Sequence, residues 1–136
     1  MSFKFIVIIA LALGANVWSQ ELSGDFNCDG KPEKAWLEEN EIEARIIVKH
    51  KPKNDTVYFE KKEETIKDAF CEKLATLEVE ALSLDKDVMV QMFGEELEGY
   101  RKSPKCKGLA LKNQCGTKKI HIYWDGKNKK YQVLRW

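Results

Sequence analysis

The run Asp25-Phe26-Asn27-Cys28-Asp29-Gly30-Lys31-Pro32-Glu33 places oxygen-bearing side chains at loop positions 1, 3, 5 and 9, with Gly at position 6. That spacing suits a hard cation, because Ca²⁺ takes six to eight oxygens at about 2.3–2.6 Å. Alternate residues of a tightly wound loop can turn Asp25, Asn27 and Asp29 toward one point. Gly30 permits the reversal that a Cβ would obstruct. The carbonyl of Lys31 adds a main-chain oxygen, and Glu33 closes the set from the far side. Three carboxylates and one amide, with no soft ligand among them, point to Ca²⁺ rather than a transition metal. The competing reading is an acidic turn that binds nothing. An EF-hand is excluded, since it needs a bidentate Glu at position 12 and Trp36 stands there.

An acid at position 9 followed by the apolar, strand-like run Lys34-Ala35-Trp36-Leu37 resembles the calcium loops of FG-GAP/VCBS repeats, found in integrin-type β-propellers and in secreted bacterial proteins. The resemblance covers about a dozen residues around Gly24–Glu33 and departs from the family pattern at Cys28, where Gly is usual. It implies a mainly β fold and a structural Ca²⁺ held by Asp25, Asn27, Asp29, Lys31 and Glu33. No second copy of the phrase occurs. The chain is also too short for a full propeller of four-stranded blades.

Residues 1–19 read as a secretory signal. Lys4 provides the positive start, Phe5 to Leu13 the short apolar core, and Val17-Trp18-Ser19 a cleavage junction before Gln20. The apolar run is too short for a spanning helix, and no Cys follows it closely enough for a lipid anchor. Residues 20–136 are then one exported domain, secreted or periplasmic, with no linker dividing it. Lys4 is the only charged residue that cleavage removes, leaving acidic and basic side chains balanced. A balanced surface argues against nucleic acid or an anionic membrane as the main partner.

All four cysteines, Cys28, Cys71, Cys106 and Cys115, lie beyond the leader, an even number in an oxidising compartment. Three pairings are possible. Cys106–Cys115 with Cys28–Cys71 is the favoured one, and a bridge at Cys28 would make the departure from Gly a staple. Zinc is the competing reading, but there is no CxxC pair and His50 and His121 are isolated.

The elements that would hold the loop are mainly β. Strands are expected at 34–39, 41–48 and 56–59, then 77–84 and 87–93 as a hairpin about Asp85-Lys86. Further strands are expected at 109–111, 119–124 and 131–136. One short helix is expected around 63–75. The whole predicts an antiparallel meander in blade-like or sandwich sheets. Asp125-Gly126 opens the last turn with residue types that tolerate positive φ.

Catalysis finds little support. His50 sits in a Lys-rich turn, His121 is expected to be exposed or half-buried, and adjacent acids such as Glu63/Glu64 point apart. Tyr123 and Trp124 are neighbours, so they face opposite sides of their strand, and a ring on the last hairpin could meet a glycan or a protein. The expectation is a non-catalytic binding or interaction module braced by one Ca²⁺. The alternative is a small secreted inhibitor or ligand-binding protein without a metal site.

Overall fold

The computed structural model describes residues 17–50, 53–62, 75–112 and 119–135. Among the described residues nine strands and one helix follow in chain order: β1 (Val17–Trp18), β2 (Leu22–Gly24), β3 (Glu33–Glu39), β4 (Glu43–His50), β5 (Lys53–Glu60), β6 (Thr76–Leu82), α1 (Lys86–Phe93), β7 (Ser103–Lys112), β8 (Lys119–Asp125) and β9 (Lys130–Arg135). The fold is mainly β, as expected, in two antiparallel sheets. In the first, β3, β4 and β5 lie side by side, and β1 and β2 both pair with the outer edge of β3. The second runs β6-β7-β8-β9.

Period-two patterning makes these strands and sets their faces. In β3 the buried residues are Glu33, Ala35, Leu37 and Glu39, with Lys34 exposed between them. In β4 the inward set is Ala44, Ile46 and Val48. The second sheet answers with Leu77, Leu109, Leu111, Ile120 and Ile122, and the two faces share one core with Phe59 and Phe26. Each fully buried Ile, Leu or Phe stabilises by roughly 1.5–3 kcal/mol. The Asn40 side chain shapes the β3–β4 turn, its Oδ1 accepting from Ile42 N at 2.8 Å and Glu43 N at 2.9 Å. Buried Glu39 ties both ends of the crossing between the sheets, accepting from Lys61 Nζ at 2.8 Å and Ala75 N at 3.0 Å.

Several expectations are corrected. Residues 87–93 form helix α1, not a strand. Asp85 precedes the helix in an extended conformation and Gly94 ends it at φ 78°, a left-handed C-terminal stop. The expected strand at 109–111 is the inner part of the longer β7. In the β8–β9 turn the left-handed residue is Lys129 (φ 55°), not Gly126. Asp125 builds that turn through its side chain, accepting from Lys127 N (2.9 Å), Asn128 N (3.0 Å), Asn128 Nδ2 (2.7 Å) and Gln132 Nε2 (2.9 Å). The helix expected around 63–75 lies outside the described residues except for Ala75, which is not helical. Val17 and Trp18 pair with Glu39 and Glu38, so two residues of the expected leader sit on the edge of β3.

The favoured cysteine pairing is also overturned: Cys28 is bonded to Cys106, with their Cα atoms 5.0 Å apart. The reason is topological. Asp25 forms an isolated parallel bridge with Cys106, and Lys107 N donates to Asp25 O at 2.9 Å, which lays the loop against β7. Cys71 and Cys115 lie outside the described residues. Proteolysis of the unreduced protein should yield a peptide joining Cys28 to Cys106. A Cys28→Ser/Cys106→Ser variant should lose roughly 4 kcal/mol on the chain-entropy model of a crosslink this long, read from denaturant melts.

Candidate metal centre

The loop is built by its own backbone before any cation is considered. It leaves β2 at Gly24, where a Cβ would come within 3.0 Å of the Phe26 ring. Phe26 is 1 % exposed and plugs the loop into the core. The reversal runs through two left-handed residues, Cys28 at φ 59° and Gly30 at φ 85°. Gly30 takes this conformation freely. Cys28 does so against its Cβ, at about 1 kcal/mol or somewhat more, and its bond to Cys106 holds it there.

Inside the turn, amide groups converge on the acids. Asp25 Oδ1 accepts from Asp29 N at 3.1 Å and Asp25 Oδ2 from Gly30 N at 2.9 Å. Asp29 Oδ1 accepts from Lys31 N at 2.8 Å. Glu33, the first residue of β3, accepts from Phe26 N through Oε2 at 2.7 Å. Asp25, Asp29 and Glu33 each offer an oxygen, all within 4.8 Å of one another. Oxygens on opposite sides of a Ca²⁺ ion lie about 4.6–5.2 Å apart, so the cluster has the right span.

The three carboxylates among the residues expected from the sequence are thus brought together. Asn27 turns its Oδ1 to Asp29 N at 3.2 Å, which stabilises the turn. The Lys31 backbone N–H takes part in the turn by donating to Asp29 Oδ1.

Glu33 is the anomalous member. It is 6 % exposed, and its Oε1 has no hydrogen-bond partner among the described residues. Burial pushes its carboxyl up to about 7. The Phe26 N–H opposes that shift, and the charges of Asp29 and Asp25 add to it. Asp29, in contrast, is held below the ordinary carboxylate value chiefly by the Lys31 N–H, with help from Asn27 and against the opposing effect of burial. The buried Tyr131 hydroxyl also lacks a partner among the described residues, and burial together with the charges of Asp55, Glu33, Asp25 and Asp29 drives its pKa upward. An orphaned, buried carboxylate oxygen facing two further carboxylates is the environment a hard cation would satisfy, and the donors are all oxygen.

Sequence reasoning missed what surrounds the loop. His50, expected as a solvated turn residue, ends β4 with its Nε2 3.3 Å from Asp55 Oδ2, and it lines the grooves beside the loop. His121, expected to be exposed or half-buried, is 7 % exposed, with Nδ1 2.9 and 2.7 Å from the two Glu80 oxygens. It lines a cavity of ≈ 160 Å³ with Leu97 and Tyr100 on the outer face of the second sheet. The 94–102 segment covers that face, and Tyr123 donates from its hydroxyl to Glu98 O at 2.9 Å. His121 lies in an alternating strand, but nothing in the strand itself announces that this segment returns to cover it.

Comparison with protein-family models, with curated proteins and with solved structures finds no match to this chain. The Cys28–Cys106 bond is compatible with an oxidising compartment. Among the described residues no helix is long and apolar enough to cross a membrane.

The raised pKa of Glu33 has a definite consequence for stability in chelator. A carboxyl whose folded value lies above its unfolded one favours the fold most below the unfolded value, near 4.5. That contribution disappears as pH rises through about 7. The melting temperature in EDTA should therefore fall between these values, and Glu33→Gln should flatten the fall. The readout is a series of thermal melts at constant ionic strength.

Proposed function

We propose that the chain is an exported, non-catalytic binding module whose loop at residues 25–33 holds one structural Ca²⁺. The supporting observation is the orphaned Oε1 of Glu33, buried against Asp25 and Asp29 with all three acids within reach of a single ion. Asp25, Asp29 and Glu33 would supply carboxylate oxygens, and Asn27 and the Lys31 carbonyl would complete the set after small rotations. The resemblance of the loop to FG-GAP/VCBS repeats favours the same ion. A cation there would neutralise like charges at the junction of β2, β3 and β7, and so would brace the entrance to the first sheet. Outside cells even a weak site, with Kd on the order of 10⁻⁴–10⁻³ M, would be filled. Export agrees with the apolar leader and with the disulfide.

The test is a thermal melt of the oxidised protein in EDTA, in millimolar Ca²⁺ and in millimolar Mg²⁺. Ca²⁺ should raise the melting temperature by several degrees and Mg²⁺ much less, because Mg²⁺ demands a tighter octahedron and dehydrates reluctantly. Asp29→Ala should abolish the calcium response. Superimposable melts with and without calcium would leave the loop as an acidic turn, and a secreted ligand-binding protein without metal would become the better reading.

A further inference from the structure

Beside the loop lies a groove of ≈ 750 Å³, within the range of small-ligand sites. Its lining comes from four separate segments, one of them the end of β4 with His50, whose ring faces Asp55. The calcium loop contributes Asn27 and Asp29, which are acceptors. The segment before β7 contributes Arg101, and the β8–β9 turn contributes Lys127 and Lys129. Trp124 adds an indole that also lines the groove. It is half-buried and held edge-on against Tyr131, with ring centroids 5.0 Å apart and planes at 68°.

The charge pattern limits what fits. All three cations are exposed, and none is engaged in an ion pair among the described residues. Arg101 and the lysines can take a carboxylate through charge-assisted hydrogen bonds, Arg in a bidentate fork. Asp29 carries a negative charge into the same groove, which disfavours a densely charged polyanion. Neutral sugars would leave the cations unanswered. A ligand that is hydroxyl-rich along one part and singly anionic at another satisfies both. Its hydroxyls would donate to Asn27 and Asp29, and its acid group would meet Arg101, Lys127 and Lys129. The positively polarised C–H face of a sugar ring suits the negative face of an indole.

We propose that this groove binds a carboxylated glycan, a short oligosaccharide of neutral sugars carrying one uronic acid. The inference rests on reading the chain as a binding module and names the ligand class. It does not require the loop to hold calcium.

The test is a titration of the oxidised protein with a short glucose oligosaccharide ending in a single glucuronic acid, followed by calorimetry and tryptophan fluorescence, in Ca²⁺ and in EDTA. A neutral glucose oligosaccharide of the same linkage and length and an oligoglutamate serve as comparators. The uronate should bind at least about tenfold more tightly than either comparator. Arg101→Glu/Lys127→Glu should lose about tenfold or more, the scale of a charged hydrogen bond. Lys112→Glu, exposed on β7 away from the groove, should bind as the unaltered protein does. If the double variant fails to fold, shifts of the Trp124 indole resonance in the unaltered protein carry the test. Equal binding of the neutral oligosaccharide would overturn the proposal. Equal binding of oligoglutamate would also overturn it and make the groove a site for acidic peptide. No uronate binding alongside an intact calcium response in the melts would overturn the groove and leave the metal centre standing. Uronate binding in a protein whose melts ignore calcium would do the reverse.

Discussion

The rest of the structure depends on three carboxylates held within 4.8 Å of one another, one of them buried at the start of a core strand. Like charges so close raise each other's energy, and burial raises it further for Glu33. The fold offsets much of this with dipoles. Amides of Phe26, Asp29, Gly30 and Lys31 each donate to one of the acids. Those donors converge only because the chain turns through left-handed conformations at Cys28 and Gly30. What the amides leave uncompensated is Glu33 Oε1, and the proposed cation supplies its missing partner.

The same turn joins the two sheets. β2 and β3 pair in the first sheet on either side of the loop, while Cys106 and the Asp25 bridge fasten the loop to β7 in the second. Phe26 fills the space between them as part of the shared core. Cys28 therefore does two things at once: it takes a backbone conformation that Gly would take more cheaply, and it supplies a crosslink that Gly could not. The loop is thereby anchored covalently to the second sheet.

How much of this is legible in the sequence follows from the range of each interaction. The strands are, because alternation in Glu33–Glu39 or Lys119–Trp124 is a local signal of one buried face. The loop is, because its chemistry lies within nine residues. Helix α1 reads as a strand because Val88-Met89-Val90-Gln91-Met92-Phe93 alternates and carries β-branched residues. Asp85 and Asp87 before the run and Gly94 after it are the end signals that favour a helix. The disulfide escapes the sequence because Cys28 and Cys106 are 78 residues apart, and only the packing of the loop on β7 brings them together. The burial of Glu33 and the groove beside it have no local signature either. Both arise where segments distant in sequence meet.

The loop and the groove lie together at one end of the sandwich. The loop that closes the core there also contributes acceptors to a groove whose cations come from the 94–102 segment and the β8–β9 turn. Asp125 fixes that turn from within, and a Cβ on Gly99 would overlap its carboxylate, so the two cation-bearing segments are in close contact.

The most direct measurement is a calorimetric titration of Ca²⁺ into the oxidised, chelator-stripped protein, run beside Glu33→Gln. The account predicts a single site for the unaltered chain and a marked loss of affinity when the buried carboxylate becomes an amide. Saturable binding that is the same in both proteins, or no binding heat at millimolar calcium in either, would contradict it.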